Sequence, residues 1–261
     1  MDNQKIILIT HEYPPKRGGA GTYCEELVFA SLKEGLNIEA WIPSYGKKQN
    51  HIKTLPLKGS QDWVCSFKLY KELHKFVTLF PSNSVLHFAE PGSLRAIVRF
   101  GWLINNLPNF IITIHGTELV RFSKNPIEKI LFLRVLQKAK KIHVLSKFNK
   151  EELLKICPNI CDKILLFPGA AGRNLVNKNK QKKQNKNSHR LQVLCVARIH
   201  PRKGQDLVIK ALKSLPKKYR HAVDCIFVGP IIKANFYKKL LKLTENLDFN
   251  ITFLGNMEDQ D

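Results

Sequence analysis

With 261 residues, the chain has room for one large domain or two small ones. Its 44% apolar content is ordinary for a globular protein, and a formal charge of +22 favours anionic partners: nucleic acid, anionic lipid headgroups or phosphate-bearing molecules. The first apolar run, residues 6–9, is too short for a secretory leader, and polar residues break region 94–114, so neither reads as a membrane span; the composition points to a cytoplasmic protein, soluble or peripheral at the inner face of the membrane.

Apolar runs of strand length alternate with longer amphipathic runs. A strand over 5–10 leads into the loop "THEYPPKRGGAGTY", residues 10–23, and then a helix over 21–34. Glycines there let backbone approach a ligand closely, and a helix N-terminus attracts anions, so Gly18 and Gly19 are candidates for a phosphate or acceptor loop; a plain turn explains the same residues. After a strand over 38–42, a helix over 66–80 carries Lys68, Lys71 and Lys75 at helical spacing, with Trp63, Phe67 and Phe76 nearby. That is a basic amphipathic surface of the kind that docks on anionic membrane, or an ordinary solvated face.

Strands are expected over 85–89 and 110–115, with a helix over 93–105 between them. The second strand ends at His115 in "TIHGTE", a position where side chains meet ligands in open α/β sheets. A helix over 127–140, a strand over 141–145, a helix over 147–156 and a strand over 163–167 complete the first region. Residues 174–190, "NLVNKNKQKKQNKNSHR", are basic and nearly free of apolar side chains. They read as an exposed linker, and their lack of aromatic residues argues against nucleic-acid binding.

A strand over 191–197 opens a second region. It is followed by the basic loop of "VARIHPRKGQDLVIKAL", a helix over 205–215, a strand over 224–229, a helix over 233–246 and a strand over 251–254. Arg198 and Lys203 then stand at a strand end and a helix mouth, a pairing suited to a diphosphate, though also expected of a solvated basic loop. The six cysteines show no zinc-like spacing with histidine, Cys195 and Cys225 read as core residues, and a reducing compartment fits. Alternation of this kind implies parallel sheets: an α/β chain with one domain over 1–173 and a second beginning at 191.

YPPxxGG after the first strand, HG after a middle strand, "KIHVLSKFNKEELLK" with Ser146, RxxxxK in "ARIHPRKG", then "CIFVGP" and "ITFLGNMED", follow one another in an order that resembles the family-4 glycosyltransferases of the GT-B fold. Rossmann dehydrogenases fit less well, since no GxGxxG follows a strand. The resemblance implies two Rossmann-like domains, an acceptor-side domain over 1–173 and a partial nucleotide-sugar-side domain over 191–261. It implies transfer of a sugar from a nucleotide sugar to a glycan, lipid-linked or small-molecule acceptor, with retention and without a catalytic metal or other cofactor. Arg198 and Lys203 would hold the donor diphosphate and stabilise the leaving charge, His115 would contact the transferred sugar as the catalytic-side residue, and Gly18 and Gly19 would face phosphate or acceptor.

Two departures stand out. The loop after "KILLFP" reads Gly169-Ala170-Ala171-Gly172 where the family has a sequence close to Asn-Gly-Val-Asp, and no pair of glutamates seven residues apart follows Lys203. The expectation is therefore a truncated donor domain with weak or no transfer. The alternative is a non-catalytic module that binds an acceptor or anionic membrane. The final "DQD", residues 259–261, spells a metal-transferase motif in the wrong context and is read as coincidence.

Overall fold

The computed structural model describes residues 4–16, 18–79, 84–170, 172–173 and 190–257. Contacts divide the chain into two compact units, Met1–Asn179 and Lys180–Asp261. The linker expected at 174–190, save Arg190, and the "DQD" at 259–261 lie outside the described residues.

In the first unit, β1 (Lys5–Ile9), β2 (Ile38–Pro43), β3 (Ile52–Leu55), β4 (Ser84–Phe88), β5 (Phe110–Ile114), β6 (Lys141–Val144) and β7 (Ile164–Leu166) form one sheet, ordered β3-β2-β1-β4-β5-β6-β7. Every pairing in it is parallel. Its helices are α1 (Gly19–Lys33), α2 (Trp63–Leu79), α3 (Pro91–Phe100), α4 (Thr117–Phe122), α5 (Pro126–Lys138) and α6 (Lys147–Ile156). Alternate strand residues feed two apolar cores. Ile7, Ile9, Leu86, Phe88, Ile112 and Ile114 pack with the residues of α2, α3 and α5, while Leu8, Ile38, Ala40 and Ile42 pack with Cys24 and Val28 of α1. Both faces of the sheet are covered, as a parallel sheet requires.

Local chemistry sets the helix starts. The Asn125 side chain accepts from the N–H groups of Ile127 and Glu128 ahead of Pro126, and Ser146 accepts from Asn149. Sequence periodicity located the long elements and missed the short ones. β3 has four residues and α4 six, too few for a period to show. The helix expected over 93–105 is α3, which starts at Pro91 and stops at Phe100, followed by a 3₁₀ turn over Gly101–Leu103.

The second unit holds β8 (Leu191–Val196), α7 (Gln205–Ser214), α8 (Lys217–Arg220), β9 (Val223–Val228), α9 (Ala234–Thr244) and β10 (Asn250–Gly255). Its three strands are parallel in the order β10-β9-β8. Val193, Cys195, Cys225, Phe227, Ile251 and Phe253 face a core with Ile209 and Leu212 of α7 and Phe236 and Leu240 of α9. The intervening residues Leu194, Val196 and Leu254 are exposed.

Candidate functional site

In the first sheet the strand order reverses between β1 and β4, so the loops that follow these strands diverge there; ligands in open α/β sheets bind at such switch points. Three loops end at this edge, after β1, β4 and β5. The structure fills the crevice between the first two with a buried pair that sequence reading missed, His11 and Glu90. Glu90 caps α3: its carboxylate accepts from the backbone N–H groups of Gly92 (2.7 Å) and Ser93 (2.6 Å), and from His11 N–H at 2.8 Å. The His11 ring lies with Nδ1 3.3 Å from Glu90 Oε1. Burial works against the charged carboxylate, but the His11 ring and these N–H donors outweigh it and hold Glu90 below the ordinary carboxylate range. Gly92 is required here, because a Cβ would sit 2.8 Å from His11 Cβ. The signal was present in "AEPGS": an acid before Pro at a helix start.

The loop after β1 is braced rather than loose. Thr10 Oγ1 bonds the backbone of Glu12 at both ends, Tyr45 O–H donates to His11 O at 3.2 Å, and Lys16 Nζ reaches Lys58 O at 3.2 Å over the Tyr45 ring. The two candidate glycines differ. Gly18 is the N-cap of α1, and a Cβ on it would collide with the Glu12 carboxylate; Gly19 has nothing within 4 Å of where its Cβ would stand. Gly18 thus has the Glu12 side chain against it, and of the two only Gly19 presents bare backbone to open space.

His115 follows β5 at the same edge. Its backbone N–H donates to the buried Glu118 carboxylate at 3.0 Å, and its Nε2 lies 2.9 Å from Ala89 O. A carbonyl oxygen only accepts, so Nε2 carries a proton, and the tautomer this bond selects has Nδ1 as its acceptor edge. Tyr23 of α1 packs edge-on against the ring, centroids 5.3 Å apart. Behind it, on the α1 face of the sheet, runs a polar row that replaces apolar core: His87 on β4, Thr113 on β5 and His143 on β6. His87 Nε2 lies 2.8 Å from Thr113 Oγ1. His143 Nε2 donates to Phe167 O (3.0 Å), so its Nδ1 accepts from the Tyr23 hydroxyl at 3.1 Å. Burial pushes the Tyr23 phenol up to about 12, which keeps it a donor. Burial, with the charges of His143 and His115, lowers His87 to about 4, and burial lowers His143 as well. At neutral pH the row is uncharged, and Tyr23 joins it to His115. Each of the three sits between apolar neighbours on its strand, Leu86 and Phe88, Ile112 and Ile114, or Ile142 and Val144, a cue that a single strand does not make visible.

In the second unit the region after β8 continues its pairing: Ile199 N–H donates to Pro230 O (2.9 Å) and Ile232 N–H to Ile199 O (3.3 Å). A 3₁₀ turn over Pro201–Lys203, capped by His200, leads to Gly204 in the left-handed region (φ +69°), where glycine carries no steric cost, and then into α7. Gly229 (φ +140°) lets β9 end against this segment, since a Cβ would strike the Ala197 carbonyl oxygen. The buried Gln205 donates Nε2–H to Arg198 O at 3.0 Å, tying the helix start to the strand end. Arg198 and Lys203 are both exposed, and no acid pairs with either among the described residues. No side chain caps the first turn of α7. The arrangement is a hydrogen-bonded backbone that presents two cations without acid partners at a helix start with no side-chain cap. His115, Gly18 and Gly19 belong to one unit and Arg198 and Lys203 to the other. Among the described residues, no cluster of three or more His, Cys, Asp or Glu is placed to hold a metal ion.

Comparison with known proteins adds to this geometry. Residues 176–261 match the family described as Glycosyl transferases group 1. The chain is 25% identical, over 99% of its own length and 71% of the relative's, to the uncharacterized glycosyltransferase MJ1069 of Methanocaldococcus jannaschii. Among solved structures it is similar to Anabaena Alr3699/HepE in complex with UDP and glucose, with a TM-score of 0.66 and 14% identity over 98% of this chain and 70% of that one. WaaG, a glycosyltransferase involved in lipopolysaccharide biosynthesis, gives 0.65 and 17%, covering 98% and 71%. These structural likenesses establish the fold: α/β, Rossmann-like, of the kind found in GT-B glycosyltransferases.

Proposed function

We propose that the chain takes a nucleotide sugar as donor and transfers its sugar, with retention, to a glycan or lipid-linked acceptor, as the family-4 enzymes do. The observation that carries this reading is the pair of exposed, unpaired cations Arg198 and Lys203 at the uncapped mouth of α7, within the segment that matches the group 1 transferases. A nucleoside diphosphate leaving group gains negative charge as the glycosidic bond breaks, and fixed cations lower the cost of that charge. In this reading the two side chains do the work a metal does in other transferases, so no metal is called for. HepE structures hold UDP and glucose, or UDP-glucose, which supports a nucleoside diphosphate sugar as the donor class.

The first unit supplies groups for the sugar and acceptor. His115, with Nε2–H pinned to Ala89 O, offers Nδ1 as an acceptor for a sugar hydroxyl. Gly19 offers backbone that a ligand can approach without meeting a side chain.

Titration calorimetry with UDP, then with the other nucleoside diphosphates, tests the donor half. One of them is expected to bind, with Arg198→Ala and Lys203→Ala each weakening it about tenfold or more at unchanged Tm. Equal binding by the double variant would overturn the assignment. Anomeric NMR of any product tests retention.

A further inference from the structure

One surface of the first unit has no part in that chemistry. Along α2, the end of α3 and the 3₁₀ turn after it, large apolar side chains stand in solvent: Trp63 is 58% exposed, Trp102 61%, and Val64, Phe67 and Leu103 are exposed beside them. Trp63, Phe67 and Trp102 meet around Arg99 and Phe100. The Trp63 and Phe67 rings pack edge-on against Phe100, at 5.8 and 5.5 Å, the Arg99 guanidinium lies over Trp63 at 4.0 Å, and Trp102 Nε1–H donates to Arg99 O. Beside Trp102 opens a groove of about 620 Å³ with an apolar floor that includes Ile97, Ile104 and Leu131, and with Arg134 and Lys138 of α5 on its rim.

Cations predominate on this surface, where the exposed Asp62 before α2 accepts from Ser60 Oγ–H and the Cys65 N–H. Glu72 is ion-paired with Lys53 and Lys75, and Glu128 with Arg99. Lys68, Lys71, Arg134 and Lys138 are exposed and have no acid partner among the described residues. Phe76, counted with this surface on sequence grounds, instead packs edge-on against the buried Trp41.

We propose that this α2–α3–α5 face docks on a bilayer that carries anionic headgroups, with Trp63, Phe67 and Trp102 at the interface and the four cations that lack acid partners, Lys71 from its place over the Phe67 ring, on phosphates. Tryptophan interleaved with lysine and arginine is the composition of a membrane-interface surface. Protein interface cores are depleted in lysine, which disfavours a protein partner. Rings packed edge-on against one another offer no open platform for nucleobases, which disfavours nucleic acid.

The chain's three tryptophans make the test direct, because Trp41 is 1% exposed and reports nothing from the surface. Vesicles of phosphatidylcholine with one quarter phosphatidylglycerol are added to the full chain without nucleotide sugar, so the result is independent of the donor assignment. The expected result is a blue shift of Trp emission, quenching by brominated acyl chains and co-sedimentation that 0.5 M NaCl reverses. Trp63→Ala with Trp102→Ala, and separately Lys68→Glu with Lys71→Glu, should weaken sedimentation at least tenfold with circular dichroism unchanged. The second pair alters only exposed side chains, so it decides the matter if the tryptophan variant fails to fold. No binding, equal binding to pure phosphatidylcholine, equal binding by the lysine variant, or a tryptophan-dependent dimer without vesicle binding would each overturn the proposal.

Discussion

The polar residues of the two units are held in opposite ways. In the first, Glu90, His87, Thr113, His143 and Tyr23 are packed into the fold and spend side-chain hydrogen bonds on one another or on backbone, with the buried His11 ring set against the Glu90 carboxylate. In the second, Arg198 and Lys203 stand in solvent on a backbone that other residues fix. The sheets differ in the same sense: β1, β2 and β5 are buried on both faces, whereas β8 and β10 alternate and leave Leu194, Val196 and Leu254 exposed. The lesson is that the first unit's candidate chemistry is inseparable from its stability, while the second unit's is not. A change in the first should cost fold and function together, and a change at the second's cations should cost binding alone.

The sharpest way to break that contrast is Glu90→Ala. It leaves three N–H donors unpaired in a buried place and removes the cap of α3, at about 1–3 kcal/mol for each unmet donor before relaxation and about 3–5 kcal/mol in sum. Urea denaturation should show that loss, and a cost under about 1 kcal/mol would mean that the switch-point pair is not structural.

Next in size is acid sensitivity. His87 is lowered to about 4 in the folded protein, so between pH 4 and its unfolded value near 6.5 the unfolded chain binds the extra proton. Its contribution is therefore complete above about pH 6.5 and is lost as pH falls toward 4, about 1–3 kcal/mol over that window. His87→Gln should flatten the stability profile between pH 6.5 and 4; an unchanged slope would show that the histidine titrates normally.

Tyr23→Phe keeps the ring against His115 and removes only the hydroxyl bonded to His143, so about 1 kcal/mol of stability should go. If the row positions His115, any sugar-transfer activity should also lose part of its rate at neutral pH, with donor affinity unchanged. The smallest stability effect belongs to the second unit: Arg198→Ala and Lys203→Ala should each lie within about 0.5 kcal/mol of the parent. Destabilisation of 2 kcal/mol by either would erase the distinction between the units.

Much of the architecture is written in local patterns. Runs such as "KIILI" and "FIITI", set between amphipathic segments, specify parallel strands and covering helices, because a period of two or of 3.6 needs only near neighbours to be read. Glycine and proline marked the β1 loop and the α7 start, and the basic loop of "VARIHPRKG" put Arg198 and Lys203 where a strand ends and a helix begins. What the sequence determined by itself is thus the alternation, the long elements and the strand-end positions of the candidate residues. Tertiary structure alone decided which residues meet. His11 and Glu90 lie 79 positions apart, Tyr23 and His143 lie 120 apart, and no local period records such a pair. The same holds for Gly18 and Gly19, identical in sequence and opposite in surroundings, and for Phe76, which turns inward while Phe67 nine residues before it stays in solvent. Side-chain chemistry is local, but burial, partner and exposure depend on the order in which parallel strands assemble, and that order is a property of the whole sheet.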